Sequence, residues 1–151
     1  MESTSHFINE LAITYSRKEI SHNSIKNSAA VYEMLKEIFS STQSAIELKE
    51  YFFMILLNRA NKVIGYYKLS EGGISGTVVD LRLAFGTALK GLASGIIMAH
   101  NHPSGNLCPS EEDKRLTKKF VEAGKLLDIA VLDHLIVTND GYYSFADEGL
   151  I

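Results

Sequence analysis

The sequence predicts one α/β domain with a single mixed β-sheet flanked by helices. Three observations carry this expectation. Apolar runs of strand length alternate with amphipathic segments of helical period. Two pairs of strand-like runs are joined by short polar turns, as antiparallel hairpins require. A third pair is separated by a helical segment, as a crossover requires. The chain has 151 residues, 46% of them hydrophobic, which suits one domain with a substantial core.

Residues 1–26 are polar and rich in Ser, Asn and Lys, so a mostly irregular arm is expected, with a short strand at 15–20. A helix is predicted from Asn27 or Ser28, because Val31, Met34, Leu35 and Ile38 recur at helical spacing up to the polar run at 40–44. Residues 51–57 are continuously apolar and rich in aromatics, which reads as a strand. Residues 58–62 read as a turn, and 63–69 as the return strand of a hairpin. Glu71-Gly72-Gly73 breaks the pattern before a short strand expected at 74–79. Asp80 is placed to cap a helix whose apolar face is Leu81, Ala84, Phe85, Ala88, Leu89 and Leu92.

Residues 95–99 are nearly all apolar, as in a strand buried on both faces and central in the sheet, and they run straight into His100. A loop follows to Pro109, and Ser110 opens another helix with Leu116, Phe120, Ala123 and Leu127 on one face. Residues 129–137 read as a strand, Asn139-Asp140-Gly141 as a turn, and 142–145 as its return.

Composition narrows the function classes. The single cysteine, Cys108, rules out an internal disulfide and points to a cytosolic setting. No basic start followed by an apolar run marks a signal peptide in residues 1–10, and no apolar run is long enough to span a bilayer. A net charge of −3 does not favour general nucleic-acid binding.

The chemically informative segment is HNHPSGNLCPSEED, His100 to Asp113. If the strand continues through His102, period two puts His100 and His102 on one face and Asn101 on the other. Asp113 falls three residues into the next helix, in phase with Leu116 and Phe120, so it faces inward. There a carboxylate is costly unless it is paired or metal-bound. Two imidazoles and a carboxylate leave a tetrahedral zinc one open position, the pattern of a catalytic site. Taken singly, H-x-H is a weak signal and Ser-x-x-Asp is usually a helix cap. Ser110 is read here as both a cap and a group facing the site. Cys108 is read as a plain loop residue, His134 as a core or supporting histidine, and His6 and His22 as solvated. The tripeptide His100-Asn101-His102 is neither the HNH nuclease motif nor the zinc-deaminase pattern, which needs H-x-E and paired cysteines.

The conjunction is far more specific. His102, seven residues, then Ser110-x-x-Asp113 matches the JAMM signature H-x-H-x7-S-x2-D without a gap. HNHPSG and PS-x-x-D, followed by LDHLIV and YYSFADEG, resemble the JAMM domain of the RadC family of bacterial proteins. The resemblance divides the chain into a polar arm, 1–26, and a RadC-like JAMM domain, 27–151. It implies a three-layer architecture like that of JAMM and cytidine-deaminase domains. It also implies a zinc ion (Zn2+) held by His100, His102 and Asp113, and hydrolysis of amide or isopeptide bonds in a peptide or protein.

An upstream glutamate is implied as general base. Glu50 comes first, since it immediately precedes the strand at 51–57 in an E-x-F pattern; Glu71 is second and Glu47 third. Ser110 is implied as an oxyanion donor, with Asn101 and His134 holding ligands in place. RadC proteins usually carry a preceding helix-hairpin-helix region, for which residues 1–26 are too short. A short stand-alone form is therefore expected, with any DNA association weak and salt-dependent. Two other classes stay open: a non-catalytic accessory in DNA repair or recombination, and a metal-dependent nuclease. The basic cluster Lys114, Arg115, Lys118 and Lys119 suits the first, although such clusters are ordinarily solvated helix faces. Intact donors together with Glu50 favour a hydrolase. No membrane partner and no particular oligomeric state are implied.

Overall fold

The computed structural model describes residues 7–21, 25–73 and 77–151. Its elements are α1 (Ser28–Ser41), β1 (Tyr51–Leu57), β2 (Val63–Glu71), α2 (Leu81–Lys90), β3 (Gly95–Asn101), α3 (Glu111–Leu126), β4 (Ala130–Val137) and β5 (Tyr142–Ser144). The strands form one sheet in the order β2-β1-β3-β4-β5. β1 is antiparallel to both β2 and β3, β3 is parallel to β4, and β5 returns antiparallel on β4. The expected hairpins and crossover are both present, and the sheet is mixed.

Helix starts follow local chemistry. The Asn27 side chain accepts from the Ala30 N–H and the Asp80 side chain from the Arg82 N–H, each satisfying a donor that the first turn leaves open. At α3, Ser110 and Asp113 form a reciprocal capping box. The 58–62 turn is closed by Asn58, whose side chain accepts from the Ala60 and Lys62 N–H groups.

Alternation along the strands builds the three layers. Phe53, Ile55, Leu57, Ile97, Ala99, Leu135 and Val137 face α1, where Val31, Met34, Leu35 and Ile38 close one core. Phe52, Met54, Leu56, Ile96 and Met98 face the other way, against Ala84, Phe85 and Ala88 of α2 and Phe120 of α3. β1 and β3 are buried along their whole length because both their faces are covered. β3 is the central strand.

Several expectations need correction. Residues 15–20 form no strand; the segment Ser16-Arg17-Lys18-Glu19 lacks the apolar alternation that would seat one. The arm is pinned instead by Tyr15, whose hydroxyl donates to the Gly91 carbonyl at 2.6 Å and whose ring lies on Gly65. Of the strand expected at 74–79, residues 74–76 lie outside the described residues and 77–79 carry no strand. Leu89 and Leu92 do not join the core: α2 ends at Lys90, and Leu92 is 83% exposed in a left-handed conformation.

Leu127 is also exposed, because α3 stops one residue earlier and the chain reverses. Ile129 takes the buried place, and its N–H donates to the Gly124 carbonyl. A Cβ on Gly124 would lie 2.4 Å from the Ile129 carbonyl oxygen. Gly124→Ala is therefore expected to destabilise the fold by about 2 kcal/mol, since backbone overpacking outweighs the helix preference for alanine of about 1 kcal/mol. Urea unfolding of the variant checks this. An unchanged or raised midpoint would mean that the reversal after α3 relaxes freely.

Candidate metal centre

Three elements deliver the site. In β3, His100 sits between Phe52 of β1 and Ile136 of β4 and shares its face with Ile96 and Met98. His102 lies one residue past the strand, where its N–H donates to the Val137 carbonyl. Gly105, at φ 80°, turns the loop back, a conformation that suits glycine. Ser110 then starts α3, and its capping box fixes the Asp113 carboxylate at the head of the helix.

The side chains of His100, His102 and Asp113 converge. His100 Nε2 is 3.0 Å from His102 Nε2 and 3.2 Å from Asp113 Oδ1, while His102 Nε2 is 3.6 Å from Asp113 Oδ2. Among the described residues, these three form a group whose donor atoms all lie within 4.8 Å of one another. His100 is 1% exposed, against 16% and 14% for His102 and Asp113, so the cluster opens on the side of the latter two. The rear wall is aromatic: the Phe52 ring lies parallel to His100 with centroids 5.7 Å apart.

Proton placement shows that the set suits a cation. His102 Nδ1 lies 2.6 Å from the Asn106 carbonyl oxygen. A carbonyl only accepts, so Nδ1 carries a proton, and whenever the ring is neutral its Nε2 lone pair faces the cluster. Burial pushes the Asp113 carboxyl up, but hydrogen bonding with His100 and His102 outweighs it and holds the group well below the usual carboxylate range. The His102 imidazole is raised, first by its bond with Asp113, with burial opposing. Both shifts express the attraction between the Asp113 carboxylate and positive charge on the imidazoles, a role that a divalent ion at the same place would take over.

Behind His100 lies a chain of buried groups. His100 Nδ1 is 2.8 Å from His134 Nε2, His134 Nδ1 is 2.6 Å from Thr117 Oγ1, and the Thr117 hydroxyl donates to the Asp113 carbonyl at 2.7 Å. His134 is fully buried and stacked on Phe145, and burial holds its pKa well below the ordinary imidazole value. Thr117 escaped the sequence reading. The available signal was its position one turn after Asp113, on the same helix face.

Glu50 immediately precedes β1. Continuing the Phe52–His100 register by two residues puts it beside His102. Burial raises its carboxyl, while the charges of His100 and His102 pull it down and the Thr77 N–H donates to it. Glu71 lies elsewhere, at the end of β2, ion-paired with Lys49 and Lys68. Glu47 accepts from Asn139 on an exposed loop. Ser110 donates to Asp113 Oδ2 at 2.7 Å, so its hydroxyl proton is engaged by that carboxylate.

Asn101 does not support the ligands directly. It faces the α1 layer, accepting from the Tyr51 N–H and donating to the Ile46 and Lys49 carbonyls. It therefore anchors the segment that carries Glu50. Cys108 is exposed on the loop and outside the cluster. His6 and His22 lie outside the described residues. Lys114 and Arg115 pair with Glu111 and Glu112 on their own helix.

The family model described as "RadC-like JAB domain" matches residues 25–150. The chain belongs to the RadC family. A UPF0758 protein of Flavobacterium johnsoniae is 52% identical over 117 residues, covering 76% of this chain and 51% of the relative. One from Alkaliphilus metalliredigens is 41% identical over 132 residues, 87% of this chain and 55% of the relative. UPF0758 protein YfjY of Escherichia coli is 44% identical over 122 residues, 75% of this chain and 76% of the relative. This RadC chain thus spans about half the length of the first two of these relatives. None of its described helices is long and apolar enough to cross a membrane.

Proposed function

We propose that this RadC domain is a zinc-dependent hydrolase that cleaves amide or isopeptide bonds in a peptide or protein. The carrying observation is the convergence of His100 Nε2, His102 Nε2 and the Asp113 carboxylate at the open end of a buried cluster. Nitrogen and carboxylate donors suit zinc, and three of them leave one position free. A zinc ion there would supply Lewis acidity and lower the pKa of a bound water to about 7.

The chain's own residues divide the remaining work. Glu50 takes the proton from the attacking water and returns it to the leaving amine. Burial favours its protonated form, which suits the second step. The Ser110 hydroxyl donates to the developing oxyanion once it turns away from Asp113, and the Asp113 N–H then still closes the helix end. Phe52 and Phe145 keep water from the rear of the imidazoles.

The test is elemental analysis of the purified protein beside a peptide-library cleavage screen. About one zinc per chain is expected for an intact three-donor site, with cleavage that stops on chelation and returns with zinc. Protein that takes up no zinc from a buffered excess overturns the reading.

A further inference from the structure

We infer that Thr117 and His134 are positioning residues that hold the Nδ1–H of His100 away from the cluster, so that the neutral ring offers its Nε2 lone pair to an ion at the metal position. The inference rests on the proposed metal reading; it adds Thr117 to the supporting role that the resemblance implies for His134 and says how that role is carried out.

The argument starts at a backbone oxygen. The Asp113 carbonyl can only accept, so the Thr117 hydroxyl, 2.7 Å away, must donate to it. That commits the one hydroxyl proton. Toward His134 Nδ1, at 2.6 Å, Thr117 can then only accept, and Nδ1 must carry a proton. His134 has no exposure, stacks on Phe145 and lies against Phe52, an apolar setting that keeps the ring neutral. A neutral ring protonated at Nδ1 has a bare Nε2. That atom accepts from His100 Nδ1–H at 2.8 Å. The neutral His100 ring is therefore protonated on the side away from the cluster, which leaves its Nε2 lone pair for an ion held between it, His102 and Asp113.

The relay also closes a loop in space. It leaves β3 at His100, crosses β4 at His134 and returns through Thr117 to the backbone of Asp113, itself one of the three donors. One hydrogen-bond chain thus fixes the orientation of one donor relative to another. The second imidazole is set independently, by the Asn106 carbonyl.

Long-range proton–nitrogen NMR on the histidine rings, with and without zinc, reads the tautomers directly. A competing chromophoric chelator gives the zinc affinity. Wild-type protein is expected to show His134 protonated at Nδ1 in both states and His100 protonated at Nδ1 in the zinc-loaded state. Thr117→Val keeps shape but removes the acceptor. It should mix the His134 tautomers and weaken zinc binding by about 10–100-fold, the usual cost of losing a group that orients a ligand. Thr117→Ser should restore both readouts, which a mere packing role would not require. His134 protonated at Nε2 in the zinc-loaded wild type, or unchanged tautomers and affinity in Thr117→Val, overturns the relay alone. Wild-type protein with His134 protonated at Nδ1 but no zinc uptake overturns the metal reading, and the purpose given to the relay with it.

Discussion

His102→Ala is expected to leave the fold intact and strip the protein of zinc. The side chain lies beyond the end of β3 and is partly exposed, so its removal opens no large cavity. It takes away one of three donors, and the loss in affinity should exceed the roughly 10–100-fold that merely supporting groups are worth. His100→Ala is a harsher variant, because it also leaves the buried His134 Nε2 without a partner. Elemental analysis after dialysis, with circular dichroism as a check on folding, decides the matter. Full zinc occupancy in His102→Ala would falsify the site as drawn.

Glu50→Gln is expected to do the opposite: zinc stays and turnover goes. The substitution keeps the size of the side chain and an acceptor for the Thr77 N–H, but it removes the group that accepts a proton. General-base losses of this kind cost about 10²–10⁴-fold in rate. The measurement is kcat on whichever substrate the cleavage screen yields, with metal content determined on the same sample. Turnover at the wild-type rate would remove Glu50 from the mechanism. Glu71 and Glu47 make poor replacements, since one is held by two lysines on the surface and the other by Asn139.

Much of the fold was legible because local chemistry and tertiary packing agree. Asn27, Asp80 and Ser110 are caps by residue type, and all three cap. The run at 51–57 was a strand with no polar face because both its faces meet helices. The convergence of His100, His102 and Asp113 could be reasoned from strand period and helix phase alone. What escaped depends on partners distant in sequence. The partners of Asn101 lie some 50 residues back, and no local pattern reveals them. Leu89 and Leu92 keep helical phase, but phase does not say where the sheet beneath them ends. Thr117 looks like a helix filler until His134 is known to lie across from it.

All three donors, together with Thr117 and His134, belong to the continuous unit β3-α3-β4, whereas Glu50 enters from β1. The two halves are therefore separable in descent. If Glu50 is the base proposed above, a single change at position 50 would erase it and leave the His100–His102–Asp113 scaffold complete, free to be kept for rigidity or sensing. Loss of the scaffold, in contrast, would leave Glu50 with nothing to act on. Within a lineage built on this plan, silent metalloproteins should arise more readily than metal-free hydrolases. On the proposed mechanism, an intact H-x-H-x7-S-x2-D pattern would record ion binding, and the residue at position 50 would distinguish descendants that kept the chemistry.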